Sequence, residues 1–249
     1  MIVHSVGLTT ELALATTRGR VTDRGDCLVV RTPDDPSYYD GNLLVFPAPL
    51  SAGELPAWLA RFGEELADIR HRSFRWDGPP GDPGQLVAAG FTVDVHQVMI
   101  ADDLIAPATS LPIRALTPDE VAATHVLAFA MAEHHHDDYR TFLRRRATWH
   151  AQLVARGDAR FWGAFDGDAC IASVGLVELG DLARFQDVRT APVYRRRGIA
   201  GALLAAAAQG TRASRLVIVA QPDSAAARLY ERVGFRDVER TASAWRATE

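Results

Sequence analysis

The spacing of apolar and polar positions predicts two structured stretches, separated by the segment DDLIAPATSLP at 102–112. This segment has two prolines and no periodicity, so it predicts a linker. Before it, apolar runs predict strands, and apolar residues three and four positions apart predict a helix. The predicted strands are 27–33, 42–49 and 91–100, and the predicted helix is 54–69.

After the linker, the pattern predicts the element order ααβββαβαβ. The first helix, 117–131, begins with Thr117 as N-cap, Pro118 at the first helical position and Glu120 three residues after the cap. The elements that follow are a helix at 139–156, strands at 160–166, 169–180 and 183–191, a helix at 199–209, a strand at 215–220, a helix at 224–233 and a strand at 235–246. The fully apolar strand between two helices should be central, so the fold class is α/β with a mixed (α+β) sheet.

Composition indicates a folded protein, because 48% of the 249 residues are apolar and 23% are charged. No apolar run is long enough to span a membrane, and the first residues have no signal-peptide pattern. The two cysteines, Cys27 and Cys170, are isolated and predict neither a disulfide framework nor a metal site. We therefore expect a cytoplasmic protein without a membrane partner.

The charge is unevenly distributed. Residues 1–110 contain 8 arginines and 15 acidic residues, whereas 111–249 contain 19 arginines and 16 acidic residues. The overall net charge of −4 argues against a general nucleic-acid binder.

The stretch YRRRGIAG at 194–201 joins a predicted strand to a predicted helix. The first N–H groups of a helix have no partner inside it, and the helix dipole adds positive charge there. Gly198 permits a positive φ, and Ala200 and Gly201 allow a ligand to approach the backbone closely. These features favour a phosphate-binding loop. The alternative is a solvated charge run before a glycine turn.

Two signatures in this half have a family pattern. Neither G-x-x-x-x-G-K-[ST] nor G-x-G-x-x-G is present. Arg195–Ala200 fits [Q/R]-x-x-G-x-[G/A], and DSAAARLYERVGF at 223–235 is similar to N-x-x-A-x-x-L-Y-x-x-x-G-F. With this order of elements, residues 112–246 resemble the GNAT superfamily of acetyl-CoA-dependent N-acyltransferases.

The resemblance implies an acetyl-CoA site. The strand before the loop would bind the pantetheine arm through its backbone, and the loop would bind the pyrophosphate. The implied cofactor-binding residues are Val188, Thr190, Arg195, Arg196, Arg197, Gly198, Ala200, Gly201 and Asp223. Asp223 stands where the family often has Asn, and helix capping is its alternative role.

The resemblance also implies that Tyr230 is the general acid that protonates the CoA thiolate, with a core aromatic residue as the alternative. The general base is open. Where some members have a glutamate, this chain has Arg184, which cannot accept a proton. Glu178, Asp187 and the EHHHDD stretch at 133–138 are candidates, with His134, His135 and His136 within it; a water relay is another.

A short segment of the first half is similar in sequence to one of the second. LVAAGFTVDVHQVM at 86–99 is similar to LYERVGFRDVERTA at 229–242, but Leu86 replaces Tyr230 and no arginine–glycine loop follows the strand at 42–46. We interpret residues 1–106 as a degenerate GNAT-like domain without a cofactor site, and residues 111–249 as the catalytic GNAT domain, a tandem arrangement similar to that of mycothiol synthase. An unrelated α/β extension is the alternative.

The function predicted from the resemblance is transfer of an acetyl group from acetyl-CoA to a primary amine, either of a small molecule or of a peptide N-terminus. A non-catalytic CoA-binding sensor is the alternative. A nucleic-acid binder that uses Arg195–Arg197 and Arg144–Arg146 is a further one, disfavoured by the net charge. The pattern carries no prediction of the oligomeric state.

Overall fold

A computed structural model describes residues 1–132 and 137–247. The helices are α1 (Val6–Thr16), α2 (Leu55–Glu65), α3 (Gly84–Ala88), α4 (Pro118–Ala130), α5 (Asp137–Arg156), α6 (Ile199–Ala208) and α7 (Ala225–Arg232). The strands are β1 (Arg20–Asp23), β2 (Leu28–Arg31), β3 (Asn42–Phe46), β4 (His71–Trp76), β5 (Thr92–Ala101), β6 (Ile113–Ala115), β7 (Ala159–Asp166), β8 (Ala169–Leu179), β9 (Leu182–Thr190), β10 (Arg215–Ala220) and β11 (Arg236–Ala247). Short 3₁₀ turns cover Tyr39–Gly41 and Pro192–Tyr194.

The start of α4 is built as its sequence predicts. The Thr117 hydroxyl accepts a hydrogen bond from the Glu120 amide at 3.3 Å, and the Glu120 carboxylate accepts one from the Thr117 amide at 2.9 Å. This reciprocal pair satisfies two donors that a helix start leaves free. The predicted capping box is therefore confirmed.

Five elements were not predicted from the pattern: α1, β1, β4, α3 and β6. Helix α1 has apolar residues on all sides and no apolar stripe, so its periodicity is weak. Strand β4 reads HRSFRW, and its two arginines interrupt a segment in which His71, Ser73, Phe74 and Trp76 are buried. Elsewhere the predicted ends shift by a few residues, and the predicted strand 42–49 stops at Phe46, before Pro47.

The chain divides into two compact units. The first consists of Met1–Val98, Val219–Ser224 and Asp237–Glu249. Its strands lie in the order β1-β2-β3-β4-β11-β5, and β3 pairs with β4 in parallel. The aromatic residues Phe46, Trp58, Phe62, Phe74 and Trp76 form the centre of its core.

The second unit consists of Met99–Ile218 and Ala225–Arg236. Its strands lie in the order β10-β9-β8-β7-β6, with antiparallel pairing from β9 to β6 and parallel pairing of β10 with β9. Helix α6 packs on β7, β8 and β9, and α5 packs on β7. This unit contains the arginine–glycine loop.

The compact units do not follow the boundary at residues 106–111 that the sequence suggests. Strand β11 is near the C-terminus, yet it pairs antiparallel with β4, with Ala244 opposite Phe74, and belongs to the first unit. The reason is a sheet contact between residues far apart in sequence, which no local pattern encodes.

Candidate active site

The loop between β9 and α6 presents a row of free backbone donors. Gly198 is the N-cap of α6 with φ 75°, and Arg196 also has a positive φ of 62°. In the described part of the chain, none of the amides of residues 196–201 donates to a protein acceptor; the first amide of α6 that does is Ala202, which bonds Gly198 O at 3.0 Å. Six consecutive amides with this geometry can bind an anion.

The three arginines of the loop are exposed, and two of them also contact the backbone that precedes them. Arg195 Nε donates to Thr190 O at 3.2 Å, and Arg197 Nη2 donates to Val193 O at 3.2 Å. The Arg197 guanidinium lies 5.2 Å from the centre of the Tyr194 ring. These contacts stabilise the loop and keep positive charge beside its free amides.

Gly201 is needed for packing at the start of α6. A Cβ on this residue would lie 2.7 Å from Pro107 Cγ and 2.9 Å from Val233 Cγ1. The absence of a side chain therefore lets the start of α6 pack against the linker and the end of α7, while the predicted contact of the Gly201 backbone with a cofactor stays a prediction. Ala200 is half-buried beside it.

Strand β9 changes its pairing where Val188 and Thr190 lie. Parallel pairing with β10 joins Leu182–Arg184 to Arg215–Val217. Within the described residues, it does not extend beyond Arg184. On its other edge the register with β8 shifts, because Ser173 pairs with Arg189 whereas Gly175 pairs with Gln186. Asp187 and Val188 of β9 thus lie opposite the single residue Val174 of β8. This arrangement is a β-bulge, which leaves backbone groups unpaired.

The joint between β3 and α2 in the first unit has a different hydrogen-bond pattern. Pairing of β3 with β4 runs to the ends of both strands, with Phe46 opposite Trp76, and the Asp77 amide then donates to Phe46 O at 2.9 Å. Two amides before α2 have side-chain acceptors: that of Ser51 donates to Glu54 at 2.9 Å and that of Gly53 donates to Gln85 at 2.9 Å. The described residues of this joint therefore do not present six consecutive free donors, as the loop at 196–201 does.

Tyr230 is buried in α7, with 5% of its surface exposed, and its ring packs edge-on against Phe235. Burial raises the pKa of Tyr230 to about 12. Tyr230 lies about one helical turn before Val233. Val233 is one of the residues that a side chain at Gly201 would contact. The hydroxyl therefore keeps its proton at neutral pH and lies on the segment that packs against the start of α6.

Glu178 is not positioned as the predicted base. Its carboxylate accepts hydrogen bonds from Arg160 at 2.7 Å and from the Thr211 hydroxyl at 2.9 Å and 3.0 Å. Thr211 follows the C-terminal end of α6, and a ten-residue helix separates that end from the loop by about 15 Å. The fold therefore places Glu178 at the far end of α6 from the loop, and its role as a catalytic residue stays a prediction.

We expect Glu178→Gln to leave the catalytic rate close to that of the wild type and to lower the melting temperature modestly, because it removes an ion pair but no group of the loop. Steady-state kinetics with a working acceptor and a thermal melt would test this. A loss of 100-fold or more in kcat, which is the scale of a missing general base, would instead identify Glu178 as a catalytic residue.

Asp187 is also unsuited to act as a base. Although burial opposes ionisation, Arg146 and Arg189 hold the pKa of Asp187 well below its usual range. A carboxylate with such a pKa is a weak proton acceptor. The charged cluster around Asp187 was not predicted from the sequence, and the only signal for its helical part is the spacing of four residues between Arg146 and His150.

The remaining predicted residues are Asp223 and the three histidines at 134–136. Asp223 has φ 57° and stands two residues before the start of α7, so its contact with a cofactor stays a prediction. His134, His135 and His136 lie outside the described residues. Within the described residues, no helix is both long and apolar enough to cross a membrane.

Comparison with known protein families gives a match to part of the second unit. Residues 157–237 match the acetyltransferase (GNAT) domain family. No curated protein sequence matches the chain.

Solved structures share the fold at low sequence identity. A conserved protein of unknown function from Staphylococcus epidermidis has a TM-score of 0.77 at 13% identity, covering 93% of this chain and 95% of that one. A GCN5-related N-acetyltransferase from Kribbella flavida has a TM-score of 0.69 at 16% identity, covering 98% and 96%. A tandem GNAT protein from the clavulanic acid biosynthesis pathway has a TM-score of 0.54 at 16% identity, covering 80% and 71%. The mixed α/β, GNAT-type fold is thus confirmed.

Proposed function

We propose that this chain transfers an acetyl group from acetyl-CoA to an amine, either of a small molecule or of a peptide N-terminus, because residues 157–237 match the acetyltransferase (GNAT) domain family. The observation that carries the proposal is the row of free amides at 196–201, which opens a helix and follows a strand whose parallel pairing stops short. Both features suit a long ligand with an anionic end.

The free amides would hold the pyrophosphate of CoA, and the exposed guanidinium groups of Arg195, Arg196 and Arg197 would offset its charge. Gly198 fits this role, since its positive φ directs successive N–H groups to one side. The backbone of Val188 and Thr190 would bind the pantetheine arm through groups that do not pair with β10.

Acetyl-CoA supplies the acetyl group as an activated thioester. The amine nitrogen attacks the carbonyl carbon, so a C–N bond forms and the C–S bond breaks without a cysteinyl intermediate. An unpaired amide of the β9 bulge would stabilise the oxygen that gains charge. The Tyr230 hydroxyl, which burial keeps protonated, would donate its proton to the departing thiolate.

We propose that water accepts the proton that the amine loses. Glu178 is engaged by Arg160 and Thr211, and Asp187 is held as a weakly basic carboxylate. Arg184 occupies the position at which some relatives have glutamate and cannot accept a proton.

The test uses the full-length chain, because β11 belongs to the first unit and Pro107 packs on Gly201. Calorimetry should give about one acetyl-CoA site per chain. A thiol-release assay with small amines, amino sugars, amino acids and peptides should then identify an acceptor. Binding without turnover on a broad panel would favour a CoA sensor, and absence of binding would refute the proposal.

A further inference from the structure

The bulge in β9 is held by a buried cluster of charged side chains. Asp187 has φ 51°, a left-handed conformation that is uncommon for a residue with a side chain. Its side chain is only 8% exposed. Around it lie Arg146 Nη2 at 2.9 Å, Arg189 Nη1 at 3.0 Å and His150 Nδ1 at 3.3 Å.

The cluster joins two elements. Arg146 and His150 are four residues apart in α5 and therefore lie on one face of that helix. Both of them reach the same carboxylate, whereas Arg189 approaches it from β9 itself. Arg146 also contacts the side chain of Gln186, the residue before Asp187, at 3.4 Å.

His150, the third partner of Asp187, is held in place by its packing. It is fully buried and packs between the rings of Trp149 and Phe161, 4.7 Å and 4.9 Å away. Burial lowers the pKa of His150, although Asp187 opposes this shift, so the ring is neutral at pH 7. The carboxylate is therefore balanced by two guanidinium groups in a site with little access to water.

We propose that Asp187 is a positioning residue: its ion pairs with Arg146 of α5 and Arg189 of β9, together with the contact to His150, hold the β9 bulge in the backbone conformation that aims its unpaired amide at the thioester carbonyl. The inference rests on the proposed function for the role of that amide. The contacts that hold the bulge, which we call the Asp187 clamp, are observed independently of that function.

Charge and backbone conformation can be separated by substitution. Asp187→Asn keeps the shape and the tolerance for positive φ but removes the charge. Asp187→Gly removes the side chain and relieves the backbone. Arg146→Met removes the helical partner and keeps most of the apolar stem. Arg160→Gln is the matched control, because it breaks another ion pair of the same unit, at the far end of α6.

We expect Asp187→Asn, Asp187→Gly and Arg146→Met each to lower kcat by about 10- to 100-fold, since small errors in the placement of a catalytic group have effects of this size. Calorimetric affinity for CoA should change less than about twofold, because the loop amides that bind it are intact. The double variant Asp187→Asn/Arg146→Met should lose no more than the worse single variant, since the two groups act as a unit. Arg160→Gln should keep kcat.

Hydrogen exchange provides a readout that needs no acceptor. Peptides covering 184–190 should exchange faster in the Asp187 and Arg146 variants than in the wild type or in Arg160→Gln. Unchanged exchange in folded variants would overturn the clamp, whatever their activity. Faster exchange with unchanged kcat would overturn the positioning role and leave a purely structural ion cluster. Absence of turnover in the wild type would count against the proposed function, not against the clamp.

Discussion

Gly198→Val is expected to weaken the binding of CoA by about 100-fold or more while the protein still folds. Gly198 has φ 75°, where a β-branched residue is strained by about 1–2 kcal/mol. Relief of this strain would turn the amides at 198–200 away from a common target, and the added side chain, whose Cβ would lie 3.4 Å from Ala108 O and from Pro107 Cβ, would press the loop away from the linker. Calorimetry with CoA on the full-length chain measures the loss directly.

The chain offers a matched control for strain alone. Gly210 has φ 73° at the other end of α6, and an added Cβ would have its nearest neighbour at 3.4 Å, the same distance as at Gly198. Gly210→Val should therefore lower the melting temperature through the same backbone strain, though less than Gly198→Val, because its neighbour is the movable end of Arg160 and not backbone, and it should leave CoA affinity unchanged. If both folded variants bind CoA as the wild type does, the loop is not the anion site.

Tyr230→Phe is expected to lower kcat by about 100-fold and to leave CoA affinity within about twofold. A positioned general acid contributes roughly 10²–10⁴-fold, and the lower end applies because a thiolate is already a fair leaving group. The change removes one oxygen and keeps the ring that packs on Phe235. Steady-state kinetics and CoA calorimetry separate the two effects, with a thermal melt as the control for folding.

The pH dependence tests the same assignment. An acid acts in its protonated form, and burial raises the pKa of Tyr230 to about 12. Deprotonation of Tyr230 should therefore cause no fall in kcat between pH 7 and 10. Full activity of a folded Tyr230→Phe variant, measured where the chemical step limits the rate, would make Tyr230 a core residue and assign the proton to water.

Much of the second unit could be predicted from local pattern. The capping residues Thr117 and Glu120 act within one turn of helix, and the loop at 195–198 needs a glycine because its own backbone has a positive φ. Helix α1 was missed because its apolar residues are not confined to one face, and β4 because two arginines interrupt its apolar positions. In both cases the stabilising contacts come from other parts of the sheet.

The candidate site was predicted less evenly. The loop amides and the burial of Tyr230 follow from short motifs, and the structure is compatible with the roles expected of them. The surroundings of Glu178 required the fold, because its partners Arg160 and Thr211 are 18 and 33 residues away. Gly201 required it too, since the side chains that exclude a Cβ are those of Pro107 and Val233.

The sequence by itself determined most elements of the second unit and the features that depend on neighbouring residues: the α4 cap, the arginine–glycine loop and the tyrosine of α7. These are local because backbone dihedrals and helix ends are governed within a few residues. Only the tertiary structure decided that β11 pairs with β4, that parallel pairing of β9 with β10 stops at Arg184, and that Asp187 is enclosed by α5. Strand pairing and buried charge depend on residues brought together through space, and their energies are set by burial and by partners far away in sequence.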